Sequence, residues 1–258
     1  MKKFIKGLSV LLCAGFVAGC FNSTPQWEQE LAGKTHAAVM PVDRTDRDWW
    51  MPRHEEKLAA IQSGNVDLVF IGDSITHGWE GKGKEAWDEY FTPRNAVNLG
   101  FSGDRTEHVL WRIDHGGLDG INPEVAMIMI GTNNSGRDSA EEIADGIKAI
   151  VARIRHKLPE TKILVLAIFP RGDAAQRADK TGDATYNEKW AKNDQASETV
   201  AKIADNKKIF YLNINQAFLD ADGVLRRSVM PDLLHLNEDS YRVWAEQVDP
   251  MISRLMAE

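Results

Sequence analysis

The sequence predicts an α/β fold in which a five-stranded parallel sheet is covered by helices on both faces. Three observations carry this. Five short apolar runs recur along the chain, stretches with helical spacing lie between them, and three of the runs end in glycine plus small polar residues. Strands alternating with helices imply right-handed crossovers and a three-layer α/β/α domain. Apolar runs without polar alternation suit strands buried on both faces.

Leu58, Ala59 and Ile61 mark a first helix over 53–62, ahead of Gly64. The run Val66-Asp67-Leu68-Val69-Phe70-Ile71 is the first strand, and Gly72-Asp73-Ser74 turns it into a helix start. Trp87, Tyr90 and Phe91 belong to a short amphipathic helix. Ala96-Val97-Asn98-Leu99 is the second strand, followed by Gly100-Phe101-Ser102-Gly103-Asp104. Val109, Leu110 and Ile113 place a helix over 106–113. Val125 to Ile130 is wholly apolar and therefore central; it ends in Gly131-Thr132-Asn133-Asn134. Ser139 with Glu142 forms a capping box, and Pro159 stops the helix that follows. Ile163 to Ile168 is the fourth strand. A long polar stretch, Arg171 to Asp183, precedes a helix expected over 184–205. Ile209 to Asn213 is the fifth strand. Tyr241, Trp244, Val248, Ile252 and Leu255 mark a last helix containing Pro250, where a kink is expected. Five strands in this order suit a flavodoxin-like domain over 48–258, with no second domain, internal repeat or low-complexity run.

The first 20 residues stand apart. Lys2, Lys3 and Lys6 form a positive segment, and the apolar stretch Leu8 to Val17 is too short to span a bilayer. Val17-Ala18-Gly19-Cys20 resembles the lipobox of bacterial lipoproteins. That resemblance implies cleavage before Cys20, lipidation of Cys20 and anchoring at the cell envelope. A plain secretory signal is the alternative. Residue 21 is Phe rather than Asp, which by resemblance to lipoprotein sorting in Gram-negative bacteria points to the outer membrane. Residues 21–47 are polar and carry Pro25, Gly33 and Pro41 without a sustained period, so they read as a tether with a helical turn near Trp27. Cys13 and Cys20 are the only cysteines, so the exported domain has neither disulfide nor thiol nucleophile. The formal charge is −7, and loss of the three early lysines makes it −10. An acidic chain without a basic patch argues against a nucleic-acid partner.

In a parallel sheet the strands' carboxyl ends share one edge, where open α/β sheets bind ligands. Ser74 lies there with the loops that follow the second and third strands, and a fourth loop, Asp232-Leu233-Leu234-His235, precedes the last helix. A serine can attack an ester when a histidine takes its proton and a carboxylate orients the histidine. Asp232 and His235 are three apart, which lets the carboxylate reach Nδ1–H and leaves Nε2 for Ser74. Backbone N–H groups of Ser74 and Gly103, with the Asn133 amide, are candidates for an oxyanion hole. Each residue also has a plainer reading. Ser74 is a possible helix cap, Asp73 a residue that ties loops together, and Asn133 a turn residue. His77 and His108 are rival bases. Arg171 either holds a substrate carboxylate or makes a salt bridge. Trp87 and Trp111 read as packing residues.

Gly72-Asp73-Ser74, Gly103, Gly131-Thr132-Asn133-Asn134 and Asp232-x-x-His235 resemble the four blocks of the SGNH (GDSL) hydrolases. The segments Asn98 to Arg112, Ile130 to Asn134, Phe169 to Gly172 and Asp232 to Leu236 are most similar to the branch that holds the α subunits of platelet-activating-factor acetylhydrolase. The resemblance runs from about Trp49 to the last helix. It implies the SGNH hydrolase fold, Ser74 as nucleophile, His235 as base, Asp232 as its orienter, and Ser74, Gly103 and Asn133 as the oxyanion hole. It implies no metal and no other cofactor. Members of that branch pair as dimers. Ser102 stands where the branch usually has glycine, and the 171–183 stretch is longer than in that branch. The expectation is a serine esterase for short acyl groups, acetyl above all, acting on carbohydrate esters at the envelope. A lipase, lysophospholipase or platelet-activating-factor type of phospholipid esterase is the alternative. A non-catalytic glycan-binding protein is disfavoured because Ser74, Asp232 and His235 are all present. A nucleotide-binding domain is disfavoured because no phosphate loop of recognisable spacing occurs.

Overall fold

The computed structural model of the protein describes residues 24–257. The proposed signal and Cys20 lie outside the described residues. Five strands form one sheet: β1 (Leu68–Gly72), β2 (Ala96–Gly100), β3 (Val125–Met129), β4 (Lys162–Leu166) and β5 (Ile209–Leu212). Their order is β2-β1-β3-β4-β5, and every pairing is parallel. The expected α/β/α architecture is therefore the fold, with β3 at its centre. Alternation along each strand sends side chains to two separate cores. Val69, Ile71, Ala126, Ile128, Ile163, Val165 and Ile209 share one. Leu68, Phe70, Met127, Met129, Leu164, Leu166 and Phe210 share the other.

The first core is closed by α2 (Trp50–Gln62), α5 (Thr106–Asp114), α6 (Ala140–Lys157) and α8 (Glu188–Ala201). The second is closed by α4 (Lys84–Tyr90) and α9 (Glu238–Ala257). The capping box at Ser139 forms as expected: its side chain accepts from Glu142 N, and Glu142 accepts from Ser139 N. The helix expected over 184–205 is shorter. Ala184 instead pairs antiparallel with Leu225, and Asn187 caps α8 by accepting from Trp190 N at 3.1 Å. Pro250 lies inside α9, which continues as helix to Ala257.

The largest difference from expectation is at residues 24–47. Read as a tether, this segment is laid against the domain. Trp27 of a short helix α1 (Gln26–Gln29), with Leu31 and Val39 after it, packs on the first core, and Ala38 is fully buried. The Ala38 carbonyl accepts from Thr106 Oγ1 at 2.8 Å, and Val42 N donates to Glu107 O. Lys34 pairs with Asp145 at 3.0 Å. The composition misled because the apolar anchors Trp27, Leu31, Ala38 and Val39 are few and unevenly spaced, and the remaining contacts are backbone bonds and ion pairs, which leave no periodic signature.

Asp104 fixes the loop after β2. It is wholly buried and accepts from Arg112 Nε at 3.0 Å, Trp50 Nε1 at 2.8 Å and Arg44 Nη1 at 3.3 Å. Arg112 also stacks over Phe101, 4.0 Å from the ring. A buried carboxylate is tolerable only when paired in this way.

Candidate active site

α3 (Ser74–His77) begins directly after β1. Asp73, not Ser74, is its cap: the Asp73 side chain accepts from Ile75 N at 3.0 Å. The turn is clamped from two sides. Tyr241 of α9 donates its hydroxyl to Ile75 O at 2.6 Å, and Asn98 of β2 donates to Thr76 O at 3.0 Å. Gly100 is needed for this approach, since a Cβ there would lie 2.3 Å from His77 N. With its cap supplied by a neighbour, the Ser74 hydroxyl is left free to face the loop after residue 231.

That loop brings the other two residues in. Ser74 Oγ lies 2.8 Å from His235 Nε2, and His235 Nδ1 lies 2.8 Å from Asp232 Oδ2. An ionised carboxylate only accepts, so Nδ1 carries the proton and Nε2 accepts from the Ser74 hydroxyl. Asp232 Oδ1 accepts from Leu234 N and His235 N at 3.1 and 2.7 Å, which closes the turn. Leu233 between them sits at φ 56°, a left-handed conformation that costs a branched side chain about 1–2 kcal/mol. It is held there by its bonds to Met230 O and Gly172 N, both 2.8 Å, and by its fully buried side chain. Burial would raise the Asp232 carboxyl. The two bonds from His235, together with the nearby positive charges of His235 and Arg177, outweigh it and hold the carboxyl well below its ordinary value.

Gly103 sits at φ 76°, where glycine is unstrained. Arg44 holds the preceding peptide by donating to Ser102 O at 2.8 Å. Asn133 Nδ2 donates to Asp104 O at 2.9 Å, which fixes the amide and leaves its second N–H unspent. Among the described residues the Ser74 and Gly103 N–H groups have no acceptor. Three donors are therefore available on the loops after β1, β2 and β3.

Asp73 itself is buried, and its Oδ2 has no partner among the described residues. Burial pushes its carboxyl up to about 7, against the Ile75 N–H bond and the charge of His235, which lower it. A raised carboxyl holds its proton in the folded state, so stability falls as pH rises from about 4 to 7. Urea unfolding of the wild type across that range should show this slope, and Asp73→Asn should remove it. An unchanged slope in the variant would mean that Asp73 ionises freely.

The rival bases are placed elsewhere. His108 Nδ1 accepts from Arg105 N at 2.9 Å, and burial with the charges of Arg44, Arg105, Arg112 and Arg137 pushes it down to about 3. His77 lies in the cleft but bonds Ser102 Oγ through Nδ1 at 2.9 Å, not Ser74. Arg171 fills neither expected role. Its Nη1 donates to Thr132 O and Oγ1 at 2.8 and 3.0 Å, bracing the loop that carries Asn133. Trp87 and Trp111 pack on Phe70 and on Trp50 with His115, as read from the sequence.

Arg177 is a residue the sequence reading missed. It stands on α7 (Ala174–Ala178), inside the polar stretch, where Asp173 and Gln176 form a capping box. Arg177 Nη2 donates to Asp232 Oδ2 at 3.0 Å and Nε to Asp232 O at 2.9 Å. The D-x-x-Q spacing at 173–176 marks a helix start, but nothing in sequence reveals the partner 55 positions away. Arg177 is a positioning residue, and its pair with Asp232 is about one-third to one-half exposed. A pair this exposed contributes up to about 1 kcal/mol. Arg177→Ala should accordingly lower kcat about two- to fivefold. The unopposed Asp232 charge would then hold the imidazolium more strongly, moving the acidic limb of the kcat/KM profile to higher pH. Arg177→Lys should restore part of both. A fall in rate with an unmoved limb would reduce Arg177 to loop packing.

Among the described residues no helix is long and apolar enough to cross a membrane. Residues 70–243 match the GDSL-like Lipase/Acylhydrolase family. The chain is 33% identical over 232 residues to the human platelet-activating factor acetylhydrolase IB subunit alpha1, covering 88% of this chain and 94% of that protein. It is also 33% identical over 230 residues to the rat alpha2 subunit, with the same coverage. Among solved structures, one described as a putative platelet activating factor from Streptococcus pneumonia superposes with a TM-score of 0.63 at 22% identity, covering 80% of this chain and 95% of that one. Est24, a carbohydrate acetylesterase from Sinorhizobium meliloti, superposes with a TM-score of 0.58 at 16% identity, covering 74% and 100%. At those identities the structures speak for the fold alone. The family match and the curated relatives, met at the serine this geometry exposes, make the chain a member of the GDSL-like lipase/acylhydrolase family and an ester-hydrolysing enzyme.

Proposed function

We propose that the chain is a serine esterase for short acyl groups, acetyl above all, and that its physiological substrate is an O-acetylated carbohydrate. The observation that carries it is the relay Ser74–His235–Asp232, linked by two 2.8 Å bonds. In the first half-reaction Ser74 Oγ attacks the ester carbonyl and its proton passes to His235 Nε2. The tetrahedral oxyanion is held by Ser74 N–H, Gly103 N–H and Asn133 Nδ2. Collapse breaks the ester C–O bond, and the alcohol leaves with the proton from His235. Water then attacks the acyl-Ser74 ester by the same route and frees the acid.

The surroundings support a hydroxyl-rich alcohol. The cleft beside Ser74 encloses about 510 Å³ and carries His77, Glu80, Lys82 and Ser102, which hydrogen-bond hydroxyls. Burial and the Arg53 charge keep His77 below the ordinary histidine range, so the ring is neutral near pH 7. Trp49, 40% exposed, stands at this rim with its ring 6.3 Å from that of His77, offering a flat apolar face. The relatives' name supports acetyl as the acyl group. The same name favours a second reading, a phospholipid acetyl ester. Export and lipid anchoring through Cys20 at the outer membrane rest on the segment 1–20 and belong to this proposal; Cys20→Ser should release the protein from the membrane fraction.

Hydrolysis of p-nitrophenyl esters from acetate to palmitate, by protein lacking residues 1–20, tests the acyl group. We expect kcat/KM to fall by at least about tenfold from acetate to octanoate, and an acetylated xylan to release acetate. Preference for long chains would overturn the reading in favour of a lipase.

A further inference from the structure

A second cleft, of about 560 Å³, opens at the carboxyl end of β5 and is lined by none of the catalytic candidates. Its wall is one face of α8 and the residues just before it. Tyr186, Trp190, Asp194 and Glu198 recur every four positions, so they stack in a single row. The Tyr186 and Trp190 rings lie 5.4 Å apart at 56°, and Tyr186 is 60% exposed. The opposite wall carries Tyr211 and Asn215. Asn215 is more than nine-tenths buried, and its Oδ1 has no partner among the described residues, whereas its Nδ2 donates to Ile168 O at 2.9 Å. Among the described residues neither Asp194 nor Glu198 has an ion-pair partner.

The exposed Tyr186 ring with the buried Trp190 beside it, two carboxylates without ion-pair partners and the buried, unpartnered amide oxygen of Asn215 fit a ligand with apolar faces and many hydroxyls. The two acids repel an anionic chain. The location also fits. Ser74 and this cleft lie at the same sheet edge, three strand spacings apart, roughly 14–15 Å. An oligosaccharide spans that distance in a few residues. α8 is tied directly to the active-site loops: Asn187 donates to Arg171 O at 2.7 Å, and Arg171 holds Thr132, the neighbour of Asn133.

We propose that the cleft between α8 and the end of β5 is a non-catalytic subsite for a neutral glycan chain, which holds the polysaccharide while its ester lies at Ser74. The second half of this statement rests on the carbohydrate reading above; the binding does not. Titration calorimetry of the protein carrying Ser74→Ala, against hexasaccharides of xylose, glucose and N-acetylglucosamine that carry no O-acetyl ester, tests it. We expect at least one to bind, and Tyr186→Ala to weaken it about tenfold, the effect of losing one aromatic anchor. Glu198→Gln should weaken it less. In the otherwise wild-type enzyme, Tyr186→Ala should raise KM for acetylated oligosaccharides and leave p-nitrophenyl acetate hydrolysis unchanged. No binding by any of the three, or binding indifferent to Tyr186→Ala, overturns the subsite. Hexasaccharide binding without hydrolysis of any acetylated glycan keeps the subsite and overturns only the carbohydrate ester reading.

Discussion

Ser74→Ala is expected to lower kcat for p-nitrophenyl acetate by about 10⁵–10⁶, the loss seen when the nucleophile of a coupled relay is removed. The Ser74 hydroxyl makes one side-chain bond, to His235, and the helix cap is Asp73. The substitution therefore removes the reacting atom and leaves the turn intact. Circular dichroism and thermal melting should be unchanged, which separates loss of chemistry from loss of fold. One other serine in the same cleft bonds a histidine: Ser102, 2.9 Å from His77 Nδ1. His77 has Glu80 3.7 Å from its Nε2, so this pair imitates the relay at longer range. Ser102→Ala is the matched control. If Ser102→Ala abolished activity while Ser74→Ala retained a tenth or more, the nucleophile would be reassigned.

Asp232→Asn is expected to cost about 10⁴ in kcat through the wrong histidine tautomer. The asparagine keeps an oxygen for the Leu234 and His235 N–H groups, so the turn survives. Its amide N–H₂ then faces Nδ1 and donates to it. The ring proton is driven to Nε2, where it points at Ser74 and cannot be replaced by the serine's own. The Asp232 carboxyl is held low by His235 and Arg177, so the wild type keeps this charge over the whole working range. A loss below about tenfold would show that Asp232 only shapes the loop. Asp232→Ala should be at least as damaging, because it also frees the two backbone donors.

Much of the scaffold was readable because its determinants are local. Each strand announced itself as an apolar run with β-branched residues, and each core helix by its 3.6 period. The capping box at 139 is a chemical statement about neighbours three residues apart. The candidate site was readable for a different reason. Loops at one edge of a parallel sheet must converge, so Ser74, Gly103 and Asn133 shared an edge by topology, while Asp232 and His235 were matched to Ser74 by their spacing of three and by the four-block resemblance.

The failures have the opposite character. Residues 24–47 meet the domain through a few unevenly spaced apolar side chains, backbone carbonyls and ion pairs, none of which leaves a period in the sequence. Arg171 and Arg177 lie six positions apart in one polar stretch; one braces Thr132 and the other meets Asp232. The Tyr186 row reads in sequence as an ordinary helix face, and only β5 and Asn215 opposite make it a cleft.

The sequence by itself determined the sheet, its strand count and the residue types able to run acyl transfer, since hydrophobic period, turn chemistry and side-chain donors are properties of the local chain. Tertiary structure alone decided the geometry and the unforeseen partners: the 2.8 Å between Ser74 and His235 across 161 positions, the left-handed Leu233 that aims Asp232, and the cation that Asp232 receives. Such pairings depend on the relative placement of loops along one edge of an open sheet, and a few ångströms, which leave no mark on the order of residues, separate a relay from two solvated side chains.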